Sequence, residues 1–254
     1  MGVVSQRNVA AALLLSVLLQ VCGCSTLPET GPDTAPPLRT YEKVVKGGQP
    51  PMLDVPDSIE GFNRGTYRFN YHFDEYVFRP VVRAYEFILP DYAEDRISSA
   101  LDNINELGNF TNNLFQLKFA NAGITLSRFV INSTVGIAGL WDPAGSWGLN
   151  RKPEDFGQTL GHYGVGDGSY LVLPVLGPSN ARDTTGLVAD AAAFGIVGPI
   201  AWIDDSSAAT AYSGTSTVDR RHRVPFRYRQ TGSPFEYELL RMLYTMQREY
   251  VIEK

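Results

Sequence analysis

The chain has 254 residues and a formal net charge of −5 at pH 7, from 22 basic and 27 acidic side chains. This acidic balance argues against a nucleic acid as a general partner, because nucleic-acid binding depends on clustered Lys and Arg that neutralise phosphates. His72, His162 and His222 each lack a second histidine three or four residues away and a cysteine nearby, so we expect no metal site and no cofactor.

The N-terminus has the layout of a secretory signal peptide. Arg7 supplies a positive charge, and the apolar run Ala10–Val21 follows it. The run is too short to cross a bilayer, which takes about 20 apolar residues. We therefore predict that residues 1–23 form a removable export signal.

Cys24 directly follows Gly23, an arrangement that resembles the lipobox of bacterial lipoproteins. The resemblance implies that Cys24 is acylated and becomes the first residue of the mature chain. Ser25 occupies the position at which Asp typically retains a lipoprotein in the inner membrane, so the implied location is the outer membrane. A plain signal peptide with incidental cysteines is the alternative.

Proline-rich sequence separates this anchor from the rest of the chain. Residues 24–56 read as an acylated cysteine followed by a tether, because closely spaced prolines continue neither a helix nor a central strand. The prolines are Pro28, Pro32, Pro36, Pro37, Pro50, Pro51 and Pro56. The folded domain is predicted over residues 57–254.

The first predicted helix, Tyr67–Phe87, carries aromatic residues on two opposite faces and is expected to be interrupted at Pro80. An ordinary surface helix has one apolar stripe. Either this helix is buried on both sides, or one face meets a lipid–water boundary, where aromatic side chains are favoured.

The next predicted helices are Asp91–Phe119 and Asn121–Trp141. The first of them is rich in asparagine, which is a poor helix former, so its density indicates inter-helix hydrogen bonds, a break in the helix or a polar lining. The asparagines are Asn103, Asn105, Asn109, Asn112 and Asn113.

Glycine dominates Gly157–Gly168, and we predict irregular backbone there rather than a phosphate-binding loop, since the GxxxxGK[ST] pattern is absent.

Leu187–Ile203 is apolar but broken, which favours a buried or interfacial segment. An amphipathic helix is predicted over residues 234–253, with Ser233 as N-cap and Glu236 completing a capping box. Its apolar stripe comprises Phe235, Leu239, Met242, Leu243, Met246 and Tyr250.

Two motifs could carry chemistry. Ala144–Gly148 approaches a nucleophile elbow around Ser146, but a turn rather than a strand precedes it, so an esterase is disfavoured and we expect no enzyme.

The basic stretch Arg220–Arg229 holds five arginines and no acid. In an exported protein its candidate partners are phospholipid headgroups or an acidic protein face, and a solvated loop is the alternative.

Several blocks of the sequence resemble the MlaA/VacJ family of outer-membrane lipoproteins. The most specific is Gly157-Gln-Thr-Leu-Gly-His-Tyr-Gly164, and the others occur in the order typical of that family. The blocks are Asp57–Arg64, Arg79–Pro80, Arg128–Thr134, Asp155–Gly166, Leu173–Pro174 and Gly177–Asp183.

The resemblance implies a mostly α-helical fold, a ring or disc with Gly-rich loops embedded in the inner leaflet of the outer membrane. It implies an amphipathic channel that removes misplaced phospholipids from the outer leaflet and passes them to a periplasmic carrier of the MlaC type. A trimeric porin is a further implied partner. The alternative function is a structural lipoprotein that only scaffolds outer-membrane partners.

The channel scaffold is expected around residues of the family blocks, and Cys24 is expected to anchor the chain. The scaffold residues are Asn63, Arg64, Asn132, Gly161, His162, Gly164 and Gly166.

Overall fold

The structure is a computed structural model that describes residues 55–198 and 206–253. The predicted signal peptide 1–23, the Cys24 anchor and nearly all of the tether 24–56 lie outside the described residues, as does the end of the predicted segment Leu187–Ile203. These assignments stay predictions.

The described chain is mostly helical, as predicted, with one antiparallel pair of short strands in which Tyr170 is opposite Asn180. In chain order the elements are α1 (Glu60–Phe73), a π-helical turn (Asp74–Phe78), α2 (Arg79–Ile88), α3 (Asp91–Phe115), α4 (Phe119–Thr134), α5 (Pro143–Ser146), α6 (Phe156–His162), β1 (Tyr170–Leu173), β2 (Gly177–Asn180), α7 (Ala181–Val197), α8 (Ser206–His222) and α9 (Glu236–Glu253).

The first helical region is longer than predicted, because α1, the π-helical turn and α2 follow one another without a break from Glu60 to Ile88. The irregularity lies before Pro80 rather than at it. A proline ring clashes with the carbonyl four residues earlier. The chain accommodates it by widening the preceding turn, where the Arg79 N–H donates to the carbonyl of Asp74, five residues back.

Both helices of the α3–α4 hairpin end earlier than predicted. Helix α3 stops at Phe115, and Leu117 adopts a left-handed backbone with φ of 59°. Helix α4 stops at Thr134 rather than Trp141, because the backbone turns left-handed at Ile137 and Ala138. Apolar periodicity alone does not reveal these left-handed stops.

Polar side chains occupy the positions at which the helices pack together. On α1 the buried positions are Asn63, Thr66 and Asn70, and Asp74 continues the same face into the π-helical turn. Their spacing is that of the core-facing stripe of an amphipathic helix, yet none is apolar. The buried hydrophobic residues within the described ranges are Leu101, Ala122, Ala144, Tyr170, Val172 and Tyr237.

Large apolar side chains instead lie on the outer surface. Phe87 is 91% exposed, Ile196 is 75% exposed and Tyr76 is 74% exposed. On α1, Phe62 and Phe69 are also exposed, so the possibility that this helix is buried on both sides is wrong. Exposed apolar side chains of this size and number are typical of a contact with lipid or protein.

Helix α9 follows the same inverted pattern. Its apolar stripe faces outward, with Met246 56% exposed and Tyr250 67% exposed, while Tyr237 and Arg241 are buried. The helix begins at Glu236 rather than Pro234. The predicted capping box does not form, because the Glu236 carboxylate accepts hydrogen bonds from Thr231 and the Arg229 N–H instead of from Ser233.

Hydrogen bonds between elements compensate for the burial of asparagine in α3. Asn112 donates to Asp190 of α7 over 3.0 Å, Asn103 donates to Ser133 of α4 over 2.9 Å, and Asn113 donates to the carbonyl of Lys152 over 3.1 Å. The inter-helix interpretation of the asparagine-rich stretch is therefore confirmed. Buried amides cost free energy unless they are paired in this way.

A buried ion pair joins α3 to α4. The Arg128 guanidinium donates to Glu106 over 2.8 Å and to Asp142 over 3.1 Å, and the Glu106 and Arg128 side chains are 0% and 3% exposed. Burial alone would lower the pKa of Arg128, but the hydrogen bonds to these two carboxylates outweigh it and raise that pKa. Either charge without the other would be strongly destabilising in this position.

We expect Glu106→Gln to lower the free energy of unfolding by about 3–5 kcal/mol, because it removes the fully buried counter-charge of Arg128 and leaves only Asp142, whose side chain is 41% exposed. Glu75→Gln is the matched control, since it removes the same charge from a pair with Arg79 in which the Glu75 side chain is 40% exposed. It should cost about 0–1 kcal/mol. Denaturant unfolding followed by circular dichroism measures the free energy of unfolding of both variants. Equal losses of stability in the two variants would contradict the importance of the buried pair.

Candidate functional site

Asn63 ties α1 to the strand pair. Its amide donates to the Tyr170 carbonyl over 3.0 Å and to Asp57 over 2.8 Å, and its side-chain oxygen accepts from the Val172 N–H over 2.8 Å. The side chain is fully buried, and two of its three hydrogen bonds hold β1 against the helix.

Arg64 and Asn132 make similar connections between elements. Arg64 donates to Glu60 over 2.5 Å and to Glu238 of α9, and its guanidinium lies 4.5 Å from the centre of the Tyr237 ring. Asn132 donates to Asp142 over 2.8 Å and accepts from the Ala144 N–H over 3.1 Å, which fixes α5 to α4.

The glycine-rich block is partly helical, so the prediction of irregular backbone from Gly157 to Gly168 is wrong over Gly157–His162. Asp155 caps α6 by accepting from the Gln158 N–H over 2.8 Å. Gly161 serves close packing, because a Cβ there would lie 2.7 Å from Cδ1 of Ile252 in α9. His162 ends α6, and Gly164 has φ of +85° in the loop that continues to Gly166.

Arg248 of α9 clamps α6 and α7 together. Its guanidinium makes a bidentate contact with Asp155 over 2.7 and 2.8 Å and donates to Asp183 over 3.0 Å. Tyr244 also donates to Asp183, over 2.7 Å. Burial alone would raise the pKa of Asp155 and of Asp183, but hydrogen bonds outweigh it and hold both pKa values below the usual range. Arg248 is the main cause at Asp155, whereas at Asp183 a hydrogen bond from Arg182 over 2.9 Å comes before those from Arg248 and Tyr244.

A separate cavity of about 280 Å³ opens between α1 and α8, which we call the α1–α8 cavity. Its volume is near the lower end of ligand pockets, about 300 Å³. The walls are mainly apolar and come from α1, the π-helical turn, the strand pair, the end of α8 and the segment that follows it. They comprise Tyr67, Asn70, Phe73, Asp74, Phe78, Tyr170, Val172, Val175, Leu176, Gly177, Pro178, Thr217, Arg220, Arg221, Val224, Phe226, Tyr228 and Leu240.

Arg221 holds one wall of this cavity in place. Its guanidinium contacts both carboxylate oxygens of Asp74, over 2.5 and 2.9 Å, and donates to the carbonyls of Val224 over 2.8 Å and Phe226 over 3.1 Å. The hydrogen bond to Asp74 raises the pKa of Arg221. The segment after α8 is thereby fastened to the π-helical turn.

Two further polar groups of the cavity are neutral. Asn70 donates to the Leu173 carbonyl over 2.9 Å and accepts from the Val175 N–H over 2.7 Å, which fixes the turn between the strands. Burial raises the pKa of Tyr228 to about 12, so its hydroxyl stays protonated at neutral pH. Apart from Asp74 and two arginines, the residues that line the cavity carry no charge at that pH.

The residues predicted as channel scaffold do not line the α1–α8 cavity. Asn63 contacts two residues that do, Tyr170 and Val172. Sequence reasoning singled out the arginines of residues 220–229 but missed Asn70 and Asp74. Their four-residue spacing within an aromatic helix was the available signal, because polar residues one turn apart share a face.

The family model described as MlaA lipoprotein matches residues 55–251. The chain belongs to the MlaA lipoprotein family. All the sequence blocks that carry the resemblance lie inside the matched range, and the predicted membership is confirmed.

Two relatives are named intermembrane phospholipid transport system lipoprotein MlaA. The protein of Shigella flexneri is 39% identical over 139 residues, 53% of this chain and 55% of that protein, and the Escherichia coli K12 protein is 38% identical over 138 residues, with 53% and 55% covered. An uncharacterised Rickettsia felis protein is 42% identical over 133 residues, 52% of this chain and 53% of that protein. The chain thus spans about half the length of these curated relatives.

A solved structure described as the structural basis for maintenance of bacterial outer membrane lipid asymmetry has a similar fold. It matches with a TM-score of 0.64 and 27% identity, and the match covers 78% of this chain and 100% of that chain. The mostly helical MlaA-like fold is therefore shown.

We expect acid to weaken the clamp around Arg248. The stability contributed by Asp155 and Asp183 is present above the ordinary Asp pKa of about 3.9, and it is lost as the pH falls through their lowered folded-state values. Arg248→Gln should therefore lower the melting temperature at pH 7 and flatten its decline between pH 5 and pH 2.

Arg83→Gln provides the control, because Arg83 is exposed on α2 and makes no ion pair within residues 55–198 and 206–253. This variant should show the same decline of the melting temperature with falling pH as the wild type. Thermal melts between pH 5 and pH 2 test the clamp. If the melting temperature of Arg248→Gln fell with pH as steeply as that of the wild type, the role of Arg248 would be contradicted.

Proposed function

We propose that this chain transports phospholipids between membranes, removing those misplaced in the outer leaflet of the outer membrane and so preserving lipid asymmetry. The observation that carries the proposal is the α1–α8 cavity, whose apolar walls meet charged groups at Asp74, Arg220 and Arg221. An acyl chain suits such walls, and a phosphate-bearing headgroup suits an arginine. Membership of the MlaA family, with relatives named for phospholipid transport, supports the same function.

The inverted distribution of side chains supports a membrane-bound location. Exposed apolar residues such as Phe87 and Ile196 would contact acyl chains, while buried polar side chains such as Asn63 find hydrogen-bond partners inside the fold. Within the described residues, no helix combines the length and hydropathy needed to cross a bilayer. The proposal places the helical domain within the inner leaflet, on the strength of its exposed apolar side chains and its family membership, held by acyl chains on Cys24 through the tether 24–56.

The proposed transport is passive and non-enzymatic. The Ser146 hydroxyl donates to the Asp142 carbonyl over 3.3 Å within the short helix α5, which the side chain of Asp142 caps. A nucleophile elbow needs a strand before the serine and a base that activates it. The exported chain would hand its lipid to a soluble periplasmic carrier of the MlaC type and would contact a trimeric porin.

We expect Thr217→Trp to reduce lipid transport severalfold, because Thr217 lines the α1–α8 cavity and an indole would fill much of it. Thr215→Trp is the matched control, since Thr215 lies on the same helix, is exposed and does not line the cavity. Each variant is expressed in a strain that lacks the chromosomal gene. Surface-exposed phospholipid and detergent sensitivity should stay high with Thr217→Trp and return to normal with Thr215→Trp.

Normal lipid asymmetry in the deletion strain would reject the function. Full complementation by Thr217→Trp, at equal protein level, would reject the cavity as the route. Reconstitution of the purified chain with its carrier and labelled phospholipid separates transport from scaffolding, because a scaffold would move no lipid.

A further inference from the structure

The basic stretch 220–229 does not act as a single patch, because most of its cations are already engaged. Arg221 is held by Asp74 and by backbone carbonyls. Arg223 contacts Asp102 over 3.0 Å and Asp219 over 2.5 Å.

The remaining partners of the stretch lie on α1, α2 and α3. The His222 ring contacts Glu86 over 2.8 Å and Glu94 over 3.4 Å. The Arg229 guanidinium lies 3.9 Å from the centre of the Tyr71 ring, within the range of a cation–π contact. These side chains attach the end of α8 and the following segment to the rest of the fold.

The side chains of Arg220 and Arg227 are left without a hydrogen bond, ion pair or ring contact in the part of the chain that the structure describes. Of these two, only Arg220 lines the α1–α8 cavity. It is exposed, and it lies one helical turn after Thr217, which lines the same cavity. Its guanidinium therefore keeps all of its donors available at the edge of an apolar cavity.

The charge balance of the cavity favours an anion at this position. Asp74 is neutralised by its bidentate contact with Arg221, which leaves the charge of Arg220 uncompensated. The chain as a whole carries a net charge of −5, so a free cation on an apolar cavity stands out from its surroundings. A ligand with an apolar body and one anionic group fits both features.

We propose that Arg220 binds the phosphate of a phospholipid whose acyl portion lies in the α1–α8 cavity. The inference rests on the proposed function and adds to it the residue that recognises the headgroup. A guanidinium presents two parallel N–H donors that match phosphate oxygens. The shared chemistry is a phosphate anion, which either a lipid headgroup or free phosphate could supply.

Calorimetric titration of the purified full chain in detergent tests the proposal with three probes: dihexanoylphosphatidylglycerol, dihexanoylglycerol and inorganic phosphate. Arg220→Glu should weaken binding of the phospholipid about tenfold, as expected for loss of a charge-assisted hydrogen bond and addition of a repulsive charge. Binding of dihexanoylglycerol, which lacks the phosphate, should not change. Inorganic phosphate should bind far more weakly than the phospholipid, because it makes no apolar contact.

Arg227→Glu is the control, because it makes the same change of charge seven residues further along, outside the cavity lining. Its affinity for the phospholipid should stay within roughly twofold of wild type, as expected for a screened, distant charge. Equal losses in the two variants would show general electrostatic attraction and overturn the assignment.

The remaining outcomes also decide the matter. An Arg220→Glu variant that binds the phospholipid as wild type does would overturn the headgroup contact and leave the transport proposal standing. Parallel loss of dihexanoylglycerol binding would show damage to the cavity walls and would overturn the headgroup contact as well. If inorganic phosphate bound as tightly as the phospholipid, the site would be a simple anion site, and the assignment to a phospholipid headgroup would be overturned. A wild-type chain that binds neither lipid would remove the proposed function and this inference with it.

Discussion

The fold depends on pairing polar side chains that the helices bury against one another. Glu106 and Arg128 form a buried ion pair, and Asn63, Asn112 and Asn132 contribute buried amide hydrogen bonds. Hydrogen bonds are directional, so each pair fixes the position of one element against another more narrowly than apolar packing would. The strand pair, α5 and α7 are each placed by a contact of this kind.

The same constraint explains the exterior. In a lipid leaflet, helix faces that carry polar groups turn inward to find partners, so the apolar faces are left outside. In water such a surface would favour aggregation, whereas in a lipid leaflet it is the favourable arrangement. The α1–α8 cavity combines the same two features inside the fold. Its walls are mainly apolar, and the segment beside it is held in place by polar contacts such as that of Arg221 with Asp74.

The sequence predicted the helical class and the family, because these follow from residue patterns and from specific blocks, and it offered inter-helix hydrogen bonds as one of three interpretations of the asparagines. It failed where the usual rule that apolar residues are buried was reversed. The apolar stripe of α9 was correctly located, but Tyr237 and Arg241 form the buried face, and Tyr250 points outward. The helix at Gly157–His162 was missed because glycine was read as a turn former rather than as space for close packing by Ile252.

The central claim is that the apolar exterior contacts lipid. Photo-crosslinking from p-benzoylphenylalanine tests it most directly, with the label in place of Phe87, which is 91% exposed, and in place of the exposed polar residue Gln230 as a control. In phospholipid vesicles the account predicts lipid adducts at position 87 and few at position 230, measured by mass spectrometry. Equal labelling at the two positions, or none at position 87, would contradict it.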